Sequence, residues 1–181
     1  MARKGLNYYY YPKDSYGRLP KPSPENPRVF ISHQKNDSDV ARKIADYFED
    51  AGVDTYFDQY DSSIDRTDPK SVVNAIRTGI ENSTHMIVIF SLNTFGSMWV
   101  PWEIGYAYRS PVILGALRLK GVAKDKLPEY LKVTKLVSDI WDLNSFISNI
   151  TQVSGDQLLT EGRILRYSDT YHPLSQYMDS I

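Results

Sequence analysis

Residues 28–57, RVFISHQKNDSDVARKIADYFEDAGVDTYF, decide the fold class. RVFIS (28–32) is a short run of β-branched and aromatic residues, which reads as a buried strand. The polar stretch after it offers Asn36 or Asp37 as a helix N-cap. Val40, Ile44, Tyr47, Phe48 and Ala51 then recur on one face at helical spacing. Gly52 ends that helix, and VDTYF (53–57) is a second strand. Strand, helix and strand joined by short loops build a parallel sheet, because parallel neighbours need a crossover between them.

The pattern continues downstream. DQYDSSIDRTD (58–68) is polar and has no apolar period, so it reads as a loop. Asp68 before Pro69 makes an N-cap and first-turn pair, and Val72, Val73, Ile76 and Ile80 give the second helix a buried stripe. HMIVIFS (85–91) is the most apolar strand, and an unbroken apolar run predicts burial on both sheet faces. A third helix through Trp99, Trp102 and Glu103 ends near Arg109 and Ser110, since Pro111 follows. PVILGAL (111–117) is a fourth strand and TKLVSD (134–139) a fifth, with DKLPEYLKV a short helix between them. DLNSFISNITQV (142–153) is the closing helix, with Leu143, Phe146, Ile147 and Ile150 inward. The expected architecture is a flavodoxin-like three-layer α/β fold: a central five-stranded parallel sheet with helices on both faces.

Both ends differ from this body. Residues 1–27 form an arm rich in tyrosine and proline, basic and without helical or strand period, read as extended and suited to assembly. The body spans 28–153. Residues 154–181 form a C-terminal extension with one amphipathic stretch and a tail.

Composition excludes several functions. The formal net charge of −1 in 181 residues gives no global pull toward nucleic acid or anionic lipid. Cysteine is absent, which removes disulfides, thiolate nucleophiles and cysteine metal sites together. His33, His85 and His172 are too scattered for a metal-ligand spacing, so no metal is expected. No run approaches the ~20 apolar residues of a membrane helix, and the N-terminus lacks an apolar signal core. The expectation is a cytoplasmic protein without nucleic-acid or membrane partners.

In open parallel sheets, functional residues gather at the carboxyl ends of the strands. Here that means Ser32 to Gln34, Asp58 to Thr67, and Ser91 to Glu103. SHQKND after the first strand has no glycine, so no phosphate loop is present, and no nucleophile elbow surrounds Ser32. What remains is Glu103 with aromatic company. Trp99 lies one turn before it on the same helical face and Tyr106 shares that face at i+3, while Trp102 points away and anchors the helix. A carboxylate beside an indole and a phenol can hold a ribose. It can equally be an acid favoured by the helix dipole in the first turns, and spacing alone leaves both readings open.

The blocks 28–58, 71–91 and NTFGSMWVPWEIGYAY (93–108) together resemble a TIR (Toll/interleukin-1 receptor) domain, and the last resembles the Trp-x-x-x-Glu element of its NAD-cleaving members. The resemblance covers roughly residues 28–150. It implies that Glu103 is the catalytic glutamate and that Trp99 is the tryptophan beside it. It places Ser32 and His33 at the pocket edge, Asp58 at the end of the second strand, and residues 59–67 as the loop over the pocket, with Arg66 a candidate phosphate contact. That loop departs from the family, because YDSSIDRT stands where a small-residue turn with glycine is usual. NAD+ is then a substrate and no cofactor is implied. The implied activity releases nicotinamide and leaves ADP-ribose or a cyclic isomer, as a signal in bacterial immunity of the Thoeris kind. Self-association through TIR–TIR contacts and a downstream sensor of a cyclic nucleotide are the implied partners. A non-catalytic TIR scaffold and a nucleoside deoxyribosyltransferase-like enzyme are the alternatives.

Overall fold

The unbroken apolar run at residues 86–90 is explained by its place in the middle of the sheet. In the computed structural model, described over residues 3–9, 18–57, 68–169 and 171–180, five parallel strands lie in the order β2-β1-β3-β4-β5. They are β1 (Arg28–Ser32), β2 (Asp54–Tyr56), β3 (His85–Phe90), β4 (Ile113–Arg118) and β5 (Lys135–Val137). Side chains alternate between faces along each strand. Val29, Ile31, Ile87, Ile89 and Leu117 therefore enter one core, and Phe30, Met86, Val88, Phe90 and Ala116 enter the other. Both cores are roofed by helices, giving the flavodoxin-like three-layer arrangement.

On the first face lie α1 (Ser38–Asp50) and α5 (Ile140–Thr151). The α1 stripe from Val40 to Ala51 is buried, and so are Leu143, Phe146, Ile147 and Ile150 of α5. The Asp139 carboxylate caps α5 by accepting from the Asp142 N–H. On the second face lie α2 (Pro69–Glu81), α3 (Trp99–Ala107) and the single turn α4 (Glu129–Lys132). Asp68 caps α2 through the Lys70 and Ser71 N–H groups, with Pro69 in the first turn.

Two local expectations are corrected. Asp37 precedes α1 but makes no side-chain cap. Its carboxylate instead accepts from Ser91 Oγ and Asn93 Nδ2, both at 2.6 Å, and so joins the loop after β1 to the loop after β3. In α2 only Ile80 of the expected stripe is fully buried, while Val72, Val73 and Ile76 are half-buried. The helix meets the sheet at its C-terminal end, where a Cβ on Gly79 would come within 2.5 Å of the Phe30 ring. Its N-terminal half stands over a cleft.

The segments flanking the body pack against it. Residues 3–9 run beside the free edge of β2, with a parallel bridge from Asn7 to Thr55. In the C-terminal segment, α6 (Gly155–Thr160) contributes Leu158, and Ile164, Leu174 and Met178 follow it into the core under α1 and α5. Burying each such side chain is worth about 1.5–3 kcal/mol. Arg118 at the end of β4 binds Asp179 at 2.6 Å, and the Ile140 N–H donates to the Asp179 carbonyl.

Candidate active site

The strand order turns between β1, which is followed outward by β2, and β3, which is followed by β4. In sheets of this kind, that switch point opens a crevice at the carboxyl ends of the strands. A cleft of about 270 Å³ lies here, walled by the ends of β1 and β2, by Val72, Ala75 and Ile76 of α2, and by Trp99 and Glu103 of α3.

Local structure sets each group. Ser32 is the last residue of β1 and is almost fully buried. After β3, a 3-10 turn (Leu92–Gly96) is held by a capping box between Ser91 and Thr94 and by the Asp37 bonds. This fixed connection delivers α3, whose Val100 N–H is received by Ser97 Oγ at 3.2 Å. Val100, Ile104 and Ala107 bury one face of α3, and that anchoring turns Glu103 down onto the end of β1.

There Ser32 Oγ donates a short hydrogen bond to Glu103 Oε2. Glu103 is only 7% exposed. This hydroxyl is its one hydrogen-bond partner among the described residues, and no cation pairs with it there. Burial raises its pKa from 4.5 to about 7, against the smaller downward pull of the Ser32 hydroxyl. Holding Glu103 ionised against this burial therefore costs about 3 kcal/mol. A positively charged ligand would recover that cost.

Of the residues expected at a site, Ser32, His33, Trp99 and Glu103 come together around this cleft. The His33 ring lies against Phe57 with centroids 5.1 Å apart. Trp99 is half-exposed at the rim, edge-on to Trp102 at 6.2 Å. Tyr106 is not part of the lining. At i+3 it is turned about 60° round the axis from Glu103, far enough for its hydroxyl to donate to Glu81 and receive Arg77 Nε. Trp102 does not anchor the helix; it stacks on Tyr106 at 5.7 Å and stays 38% exposed. Asp58, Arg66 and the expected loop 59–67 lie outside the described residues.

Other lining residues were not signalled by motif. Tyr56 and Phe30 form the floor toward β2, and Tyr9 of the N-terminal segment closes the far wall. Alternation along VDTYF could have placed Tyr56 on the Phe30 face; nothing local in the sequence points to Tyr9. Gln34, Lys35 and Ser38 edge the mouth. No group of three or more potential metal ligands exists among the described residues, and none of their helices is long and apolar enough to cross a membrane.

Chemically, the cleft offers a lone buried carboxylate, a hydroxyl and aromatic surfaces. Ionised, the carboxylate can steady a sugar that becomes cationic; protonated, as its raised pKa allows near neutrality, it can donate a proton.

The family described as "TIR domain" matches residues 29–149. Over 80 residues the chain is 29% identical to a Bacillus cereus protein named "Probable 3' cyclic ADP-D-ribose synthase ThsB'". That match covers 43% of this chain and 42% of the relative, so less than half of the relative's length is spanned.

Proposed function

Because the chain belongs to the TIR domain family, we propose that it cleaves the nicotinamide–ribose bond of NAD+. The observation that carries this reading is Glu103, buried on a serine hydroxyl with no cation beside it among the described residues. NAD+ supplies the missing charge.

The bond from C1′ to the pyridinium nitrogen breaks heterolytically, and its electron pair leaves with nicotinamide as a neutral molecule. No acid is needed for that departure. The ribose is left as an oxocarbenium ion, as in glycoside hydrolysis. Ionised Glu103 accepts hydrogen bonds from the ribose hydroxyls and places negative charge beside the carbon that becomes positive. Ser32 holds the carboxylate in place. Trp99 and the tyrosine-lined wall limit water in the cleft, and Lys35 at the mouth suits the pyrophosphate.

Attack by water at C1′, with loss of its proton, gives ADP-ribose. Attack by a hydroxyl or adenine nitrogen of the same molecule gives a cyclic isomer. The name of the Bacillus relative supports the second course. A cyclic product would act as a diffusible signal in bacterial immunity, read by a separate sensor, and the availability of NAD+ suits the cytoplasm.

Self-association belongs to the same proposal. Leu92, Phe95 and Met98 are exposed on the connection leading into α3, at 67%, 54% and 88%, a surface suited to a second copy. Specific activity then rises with protein concentration. Constant specific activity over a wide dilution range would count against it.

The test is nicotinamide release from NAD+, measured by chromatography for the wild type and Glu103→Ala, with mass spectrometry of the ribosyl product. Equal release by both proteins would end the catalytic reading. It would favour the scaffold alternative, for which the exposed rim alone would suffice.

A further inference from the structure

The N-terminal segment is fastened to the β2 edge by more than its composition requires. Arg3 binds the fully buried Asp54 carboxylate through both oxygens, at 2.7 and 2.9 Å. Gly5 passes so close to Val53 that a Cβ would lie 2.0 Å from its carbonyl oxygen. The Thr55 N–H donates to the Leu6 carbonyl at 2.9 Å, and the Tyr8 N–H to the Thr55 carbonyl at 2.7 Å. Asn7 then works as a clasp. Its amide nitrogen donates to the Phe57 carbonyl at 2.9 Å, and its amide oxygen receives the N–H groups of Phe57 at 3.2 Å and Tyr9 at 3.1 Å. Tyr8 lies under the Arg28 guanidinium, 3.4 Å from the ring centroid.

The outcome of all these bonds is the position of Tyr9. Its ring stands perpendicular to Tyr56, with centroids 5.7 Å apart and planes at 88°, and both rings line the cleft that holds Glu103. Two perpendicular aromatic rings make a corner that a third planar ring can enter.

We propose that Tyr9 and Tyr56 form the seat of the departing pyridine ring, so that the N-terminal segment, outside the matched family region, selects the leaving base. This rests on the NAD+-cleaving reading and adds a residue to it. Ser32 ends β1, Tyr56 belongs to β2, and Tyr9 lies one strand position further out. Strands are spaced about 4.8 Å apart, so the cleft runs about 10 Å from the carboxylate toward the segment. That distance suits a ribose and one six-membered ring, and it leaves the adenylate half outside. The ring attached to C1′ is cationic in the substrate and neutral once released. Tyrosine rings attract the cation more strongly than the neutral base, which favours entry of NAD+ over its reduced form and does not retain the product.

The experiment uses the full chain with Tyr9→Leu, Tyr9→Phe and Asn7→Ala. Leucine keeps apolar bulk but has no aromatic face, and a thermal melt checks that each variant is folded. Two measurements are made: kcat and KM for NAD+ and for nicotinamide mononucleotide, and direct calorimetric binding of 1-methylnicotinamide, which needs no turnover. Tyr9→Leu raises KM about tenfold for both substrates, with a smaller change in kcat, and weakens 1-methylnicotinamide by a similar factor. Tyr9→Phe, which keeps the aromatic face, recovers most of the 1-methylnicotinamide binding that Tyr9→Leu loses. Asn7→Ala, which acts through the placement of Tyr9, shifts the same constants in the same direction. A rise in KM for NAD+ without one for nicotinamide mononucleotide would place Tyr9 at the adenine and overturn the proposal. Wild-type values for Tyr9→Leu in every column would also overturn it while leaving the NAD+-cleaving reading intact. A wild-type protein that binds 1-methylnicotinamide through Tyr9 but releases no nicotinamide would refute the cleavage reading alone. One that does neither refutes both.

Discussion

Two buried glutamates make opposite use of burial. Glu49, at the end of α1, is 6% exposed and Glu103 is 7% exposed, and desolvation raises the pKa of both. Glu49 is compensated. It receives Thr55 Oγ1 at 2.7 Å and Arg42 at 3.1 Å, and both partners oppose the upward shift. Glu103 receives one serine hydroxyl. Asp54 and Asp37, also buried, are each met by two donor groups. Among these described carboxylates, those that hold structure have two donors each, and Glu103, with one, faces the cleft. A charge left uncompensated in the folded chain is a place where a ligand completes the electrostatics.

That comparison can be broken most sharply by substitution. Glu103→Gln should lower the rate of nicotinamide release by two to three powers of ten, about 3–4 kcal/mol of lost transition-state stabilisation. The same change should stabilise the fold at alkaline pH. The native pKa of Glu103, about 7, lies above its ordinary 4.5, so the folded state binds the proton more tightly than the unfolded chain. Its contribution is therefore favourable below about pH 4.5 and declines through about pH 7. The wild type loses up to about 3 kcal/mol across that window and Glu103→Gln does not, a difference that urea melts at acid and alkaline pH would reveal.

Next in size is the pH profile. The ionised carboxylate is the active form, so kcat/KM for the wild type rises with pH and levels off above about 7. A profile already flat from pH 5 upward would mean that Glu103 titrates at its ordinary value. Ser32→Ala removes the only donor to that charge among the described residues. It should move the rising limb to higher pH and cost about tenfold at neutral pH, a charged hydrogen bond being worth roughly 1.5–3 kcal/mol.

The smallest effect falls on the compensated side. Glu49→Gln should cost about 1–2 kcal/mol of stability by loosening a satisfied network, with kcat close to wild type. A large loss of turnover with unchanged stability would erase the distinction between the two carboxylates.

Much of this was legible in the chain. Period-2 and period-3.6 apolar spacing located the strands and helices because each element buries one regular face, and the unbroken run in β3 announced a strand covered on both sides. Trp99 and Glu103 share a face because four residues make about one helical turn. Tyr106 lay beyond that logic, since its direction is decided by Glu81 and Arg77 on another helix. Asp37 looked like a cap and serves instead as a long-range tie to Ser91 and Asn93. Tyr9 reaches the cleft only because Gly5 and Asn7 fasten a distant segment to β2. Side-chain partners far apart in sequence leave no periodic trace.

The most direct test is the titration of the Glu103 side chain itself, by carboxyl NMR on isotope-labelled protein with Glu103→Gln as the assignment control. The account predicts a midpoint near 7 in the free protein, moving downward when 1-methylnicotinamide supplies a positive charge in the cleft. A midpoint near 4.5, the same with and without the cation, would contradict it.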